Sequence, residues 1–243
     1  MIIYYKNRFE TPLDALNRLR LEKPELKDEI LSYAGRLDPM AEGVLFVLVG
    51  EEENRDRQKY LGLDKIYEVE VLLGISTDTG DVLGLVQNTE KEGKKVSNEE
   101  IEKVVKNLEG ENNFPYPVFS SRTVDGKPLH EWAREGRLDE IEIPTKASTI
   151  YCAKLIDIKT ISAPDLLQSV LNDIDKIQGN FRQEEIKKSW NESLQNLNHD
   201  FQIITISIDC SSGAYMRTIA EELGKKLGTV ALAYRIKRTK IDL

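Results

Sequence analysis

Two cysteines, two histidines and two tryptophans in 243 residues leave little material for several kinds of protein. Cys152 and Cys210 are too few and too far apart for a disulfide framework or a metal site, so both are expected as thiols on buried strands in a reducing compartment. His130 and His199 stand in no cluster with Cys or Asp, which leaves a catalytic metal without ligands, and His130 is expected to pack on its own helix. The longest apolar run, Val44 to Val49, falls far short of the roughly 20 residues that a membrane span needs. Met1 to Lys6 shows no basic region leading into an apolar stretch and a cleavage site, so the expected location is the cytoplasm. Positive charge is in deficit too: a formal charge of −8 argues against a protein that coats nucleic acid by bulk electrostatics.

What is present is the balance of an ordinary folded chain, with 40% hydrophobic and 31% charged residues. Charge is uneven, however, because Gln202 to Leu243 carries seven Lys/Arg against four acids. A solvated helix and strand would account for that excess as well as a ligand would. Thr11-Pro12 followed by Leu13, Leu16 and Leu19 predicts an opening helix with Thr11 as its cap. Val44 to Val49 and the alternating Tyr67 to Val71 predict strands, as do Thr149 to Lys159 and Gln202 to Asp209. Ser97 to Glu100 is a capping-box pattern ahead of a helix over 98–108, and Tyr215 to Leu227 has amphipathic spacing closed by Gly228. Ala163 to Asn198 carries apolar residues at helical spacing with a break at Gly179-Asn180, which predicts a helical hairpin inserted into the sheet. The expected class is therefore α+β: a mixed, mainly antiparallel sheet flanked by helices, in a single domain over 1–243.

Chemistry is concentrated in short segments that place charged side chains among Gly, Pro and small residues. In Gly35-Arg36-Leu37-Asp38-Pro39-Met40-Ala41-Glu42-Gly43, the φ-restricted Pro39 holds a carboxylate at a loop tip, where a helix cap or Asx-turn is the plain alternative. This segment, followed by Val44-Leu45, resembles the catalytic motif of pseudouridine synthases. Lys65-Ile66-Tyr67-Glu68-Val69 and Thr77-Asp78-Thr79-Gly80-Asp81 look like the Lys-x-Tyr strand and Thr-Asp-Thr-x-Asp turn of the TruB family. Phe119-Ser120-Ser121 with Gly126 to Arg134, and Cys210 to Ala220 with Arg235 to Thr239, resemble its remaining motifs in order. The chain is thus identified as similar to TruB-type tRNA pseudouridine synthases, which isomerise uridine 55 of the T-loop.

The resemblance implies the pseudouridine synthase fold and a set of roles. Asp38 is the nucleophile, Arg217 the guanidinium that holds it ionised, and Tyr67 the ring that stacks on the flipped uracil. Asp81 ties its turn to the site, Ile236 packs against the base, and Tyr33, Arg36, Lys237 and Arg238 complete the substrate-binding set. It implies no metal or other cofactor, a tRNA T-arm as partner, no membrane, and a monomer. Tyr33 stands where the family commonly has a histidine, and Lys6 keeps the lysine of an N-terminal stretch whose Pro and Gly are missing. Arg36 gives the Gly-Arg-Leu-Asp form seen in rRNA-directed and dual-specificity synthases. The chain ends near where the family's accessory RNA-binding PUA domain would begin, so the expectation is a catalytic domain without one, the insertion over 163–198 standing in for it. A synthase acting on another RNA, or a non-catalytic RNA chaperone of the same fold, would share most of these motifs.

Overall fold

The computed structural model describes residues 1–242. Twelve strands form, beginning with β1 (Ile2–Lys6), β2 (Leu31–Ala34), β3 (Ala41–Val49), β4 (Lys65–Leu73), β5 (Ile75–Thr77) and β6 (Val86–Thr89). They continue with β7 (Gly110–Pro115), β8 (Thr123–Val124), β9 (Lys127–Pro128), β10 (Thr145–Ser162), β11 (Asp200–Cys210) and β12 (Ala231–Ile241). The helices are α1 (Pro12–Glu22), α2 (Gly50–Arg55), α3 (Arg57–Leu61), α4 (Asn98–Lys106), α5 (Leu129–Arg134), α6 (Ala163–Asp175), α7 (Gln183–Leu194) and α8 (Met216–Lys226). An eight-stranded sheet in the order β1-β3-β12-β4-β11-β10-β7, with β2 also on β3, forms the frame. All its pairings are antiparallel except β12 against β3, so the sheet is mixed and mainly antiparallel, as expected.

Local chemistry explains where the elements start. Thr11 Oγ1 accepts from the Asp14 amide at 3.2 Å while Asp14 accepts from the Thr11 amide at 2.8 Å, a reciprocal cap that opens α1 with Pro12 in its first turn. Ala15, Leu16 and Leu19 bury the inner face of α1 against Leu45 and Val47 of β3. Leu13 is 60% exposed, because two successive three-residue steps turn about 120° around a 3.6-residue helix and leave it outside that stripe. Cys210 is buried as expected, whereas Cys152 is only half-buried on β10.

Side-chain parity divides the sheet into two faces. Tyr67, Val69 and Val71 of β4 and Ile204, Ile206 and Ile208 of β11 pack with α4 and α8 on one face. Leu72 and Ile203 point the other way, into a core completed by Leu166, Val170, Ile174, Ile186 and Trp190 of α6 and α7. Those two helices connect β10 to β11, which pair antiparallel along their length, so the predicted hairpin is an insertion at one sheet connection. In β12 a register shift between Ala233 and Arg235 reverses the parity. Ala231 and Ala233 face the α4–α8 side, but beyond the bulge Ile236 takes that face while Arg235 and Lys237 are exposed.

Where β3 meets β12 in parallel, Gly43 lies opposite Arg238 with a φ of 120°. A Cβ there would overlap the Arg238 carbonyl oxygen and backbone, so only glycine lets the strands approach. Gly43→Ala should lower unfolding free energy by about 2–4 kcal/mol, the sum of backbone strain and overpacking. Urea denaturation measures this, and an unchanged midpoint would show that the strands separate freely at that point.

Candidate active site

The loop between β2 and β3 is held by groups from outside it. Gly35 turns the chain with a φ of 81°, and a Cβ there would lie 3.3 Å from Nη1 of Arg238. Leu37 and Met40, each 3% exposed, anchor into cores on opposite faces of the sheet. Between them the Asp38 side chain stays 32% exposed. The Phe9 amide donates to the Pro39 carbonyl at 2.8 Å, and Lys6 Nζ donates to the Ala41 carbonyl at 2.6 Å. Arg238 donates from Nε to the Val44 carbonyl at 2.7 Å and from Nη2 to the Gly35 carbonyl at 3.1 Å. Backbone acceptors on both sides of Asp38 are thus fixed, which leaves the carboxylate little freedom to wander.

Arg217 reaches Asp38 from the first turn of α8 and is 5% exposed. Its Nη1 donates to the Thr79 carbonyl at 2.8 Å and its Nη2 to the Phe119 carbonyl at 3.2 Å. Those two bonds aim Nε at Asp38, whose Oδ2 lies 2.8 Å away, although the Nε–H is not aligned with an acceptor. Burial disfavours the charge on Arg217, but the carboxylates of Asp38 and Asp81 outweigh it and hold the guanidinium above its usual range. Asp81 is pushed up by burial, against the pull of Arg217. Both partners of Asp81 Oδ1 are local, the Thr79 hydroxyl at 2.8 Å and the Leu83 amide at 2.9 Å, so it stiffens its own turn.

Tyr67 stands on the α4–α8 face of β4 with Ile236 and Leu37 in the same buried cluster. Burial raises its phenol above the usual range, the nearby Arg238 guanidinium opposing, so at neutral pH the ring is uncharged. The structure therefore brings together Asp38, Arg217, Tyr67 and Ile236, with Asp81 one turn behind. Arg238, expected among the substrate-binding residues, is 1% exposed and spends its donors on the loop carbonyls, so it supports the loop from within. Lys237 pairs in register with Glu68 and is exposed on the sheet face away from Tyr67, a consequence of the β12 bulge. Tyr33 packs beside the α1 core, and its hydroxyl accepts from the exposed Arg36 at 3.3 Å.

Further neighbours surround the loop, and of these Tyr116 and Arg122 lie in no sequence motif. Lys6 is fully buried, and Lys65 lies beneath Gly35, donating to the Leu61 and Leu63 carbonyls. Tyr215 meets Tyr116 edge to face at 5.4 Å, and the Arg122 guanidinium covers Tyr116 at 5.2 Å. Burial raises the Tyr215 phenol, with the Tyr116 hydroxyl and then the Asp38 charge adding to the shift, which places this aromatic pair beside the Asp38 loop. Tyr215 lies inside the Arg217 motif, but nothing in Pro115-Tyr116-Pro117 marks that tyrosine. Among the described residues, no cluster of three or more His, Cys, Asp or Glu is arranged to hold a metal, and no helix is long and apolar enough to cross a membrane.

Comparison with known proteins accords with this geometry. Residues 23–171 match the model of the TruB family pseudouridylate synthase (N terminal domain). The chain is similar to proteins named tRNA pseudouridine synthase B: that of Caldicellulosiruptor saccharolyticus is 30% identical over 86% of this chain. That of Endomicrobium trichonymphae is 31% identical over 96%. The chain spans 57% of the first relative's length and 80% of the second's. Among solved structures, a chain of a Cbf5-Nop10-Gar1 complex matches with a TM-score of 0.57 and 17% identity, over 98% of this chain and 48% of that one. A chain of an H/ACA RNP bound to a substrate RNA containing 2'-deoxyuridine gives 0.55 and 16%, over 98% and 46%. At these identities the likeness is one of fold, and the expected pseudouridine synthase fold is met.

Burial lowers the Lys6 pKa to about 8, against the carboxylates of Glu10, Asp38 and Glu42. The unfolded chain protonates this amine near pH ~10.4, the folded chain only below about 8, so between these values the unfolded state binds more protons. Stability should therefore rise with pH through that window, by up to about 3 kcal/mol relative to Lys6→Met. Unfolding free energies at pH values across the window test this. Parallel curves for wild type and variant would mean that the amine is already hydrated in the folded state.

Proposed function

The chain belongs to the TruB family of pseudouridylate synthases, and on that premise we propose that it isomerises uridine 55 in the T-loop of tRNA. The observation that carries the reading is Asp38 Oδ2 at 2.8 Å from the buried Nε of Arg217, with Tyr67 close enough to feel the Asp38 charge and Ile236 in the same core cluster. Moving uracil from N1 to C5 attachment requires the glycosidic bond to break while the base stays bound, which calls for a covalent nucleophile. Asp38 bonds to the nucleotide transiently. Over the cycle the N1–C1′ bond breaks, C5–C1′ forms, the bond to Asp38 breaks and returns the free carboxylate, the C5 hydrogen leaves as a proton and N1 gains one. The exchange is redox-neutral, so the reading requires no metal or other cofactor.

Arg217 keeps the carboxylate ionised and oriented as the polyanionic substrate approaches. The uridine must first be swung out of a stacked loop at a cost of roughly a few kcal/mol, which stacking on an aromatic ring offsets. Tyr67, uncharged and flanked by Ile236, supplies that ring. Arg36 is the exposed cation nearest in sequence to the nucleophile, and with Tyr33 it receives the T-arm backbone or a neighbouring base.

Incubation of the enzyme with unmodified tRNA should convert uridine 55, and Asp38→Ala should leave it untouched. Site-resolved chemical detection of pseudouridine is required, because isomerisation leaves the mass unchanged. Conversion at some other RNA position would move the assignment to another substrate, and persistence of the product with Asp38→Ala would overturn the nucleophile.

A further inference from the structure

The insertion α6–α7 touches neither Asp38 nor Arg217 directly, yet it ends on the segments that hold each of them. On the guanidinium side, Arg182 Nη1 pairs with Asp78 Oδ2 at 2.9 Å while its guanidinium lies 4.7 Å over the Phe119 ring. The residue after Asp78 is Thr79, and Thr79 and Phe119 are the residues whose carbonyls accept from Arg217. Trp190 Nε1 donates to the Gly84 carbonyl at 3.2 Å and Ser189 Oγ accepts from the Val86 amide at 3.0 Å, so the same turn is held at its far end. Arg182 sits at a φ of 63°, a conformation uncommon outside glycine that persists where surrounding contacts over-determine it.

On the carboxylate side, Asp173 of α6 pairs with Arg8 at 2.9 Å, both side chains largely buried. The next residue, Phe9, donates its amide to the Pro39 carbonyl, directly after Asp38. Met40 packs in the core that α6 and α7 complete. The segment over 163–198 carries four Lys/Arg against six Asp/Glu, the wrong balance for a surface that neutralises phosphates and stands in for an RNA-binding domain.

We propose that the insertion braces both halves of the Asp38–Arg217 pair, with Asp173 and Arg182 as positioning residues for the isomerisation. This rests on the reading of that pair as catalytic. The test uses the full chain with Arg182→Ala, Arg182→Lys and Asp173→Asn. Single-turnover pseudouridine formation at saturating enzyme is measured on unmodified tRNA, beside equilibrium tRNA affinity and amide hydrogen exchange. Arg182→Ala and Asp173→Asn should each slow the single turnover about tenfold, since sub-ångström misplacement of a reacting group suffices for that, and leave affinity within about twofold. Arg182→Lys, which keeps the charge but not the planar fork, should recover part of the rate. Exchange in the turn from Asp78 to Gly84 should quicken about tenfold in Arg182→Ala.

Weakened tRNA affinity at an unchanged single-turnover rate would make the insertion an RNA grip and overturn the brace. Wild-type rate and exchange in folded variants would do the same. The exchange readout needs no activity, so a chain inactive on tRNA would refute the catalytic reading while the brace is still decided by exchange. Should Asp173→Asn fail to fold, Arg182→Lys and Arg182→Ala, altered at a partly exposed side chain, still decide the guanidinium arm.

Discussion

A guanidinium buried to 5% exposure and held 2.8 Å from a half-exposed carboxylate is the constraint around which the rest of this molecule is arranged. Burying a charge is costly unless it is paired and its donors are satisfied. Arg217 is paired with the carboxylate of Asp38 and donates from Nη1 and Nη2 to the carbonyls of Thr79 and Phe119, with Nε close to Asp38 but not aligned with it. Each partner comes from a different stretch of chain, so the pair can form only once β2–β3, the turn after β5, the segment before β8 and α8 have been brought together.

The sheet supplies the precision. Close approach at Gly43 sets β12 against β3, and the bulge after Ala233 decides which β12 side chains share the face of Tyr67. Without that bulge Arg235 and Lys237 would face Tyr67, and Ile236 and Arg238 would be turned away. A cleft lined by exposed cations would attract phosphate but offer no apolar wall for a base. With the bulge, Arg238 becomes an internal support that ties Gly35 and Val44 together, and Ile236 joins Tyr67 and Leu37.

Much of this was legible in the sequence, for identifiable reasons. The Gly-Arg-Leu-Asp-Pro loop, the Thr-Asp-Thr-Gly-Asp turn and the arginine after Ser-Ser-Gly-Ala-Tyr-Met are local patterns, and local patterns survive reading in one dimension. The helical hairpin over 163–198 and the cap at Thr11 also follow from spacing and residue type alone. What escaped depends on contacts distant in sequence. Lys237 and Arg238 share a motif with Ile236, but the bulge turns Lys237 to the opposite face and Arg238 is buried against loop carbonyls, neither of which a local motif shows. Leu13 was counted into the α1 stripe on three-residue spacing that drifts around the helix. Tyr116 and the reach of Arg182 across to Asp78 leave no local trace, since each acquires its partner only when the sheet closes.

The central claim is that the fork of Arg217, fixed by carbonyls on one side, is what poises Asp38 on the other. Lysine keeps the charge of arginine but cannot serve two carbonyls and a carboxylate from one rigid plane. The most direct measurement is the single-turnover rate of Arg217→Lys on tRNA with affinity measured in parallel. The account predicts a loss of about a hundredfold or more in rate with binding retained. A rate close to wild type would show that any nearby positive charge suffices and would contradict it.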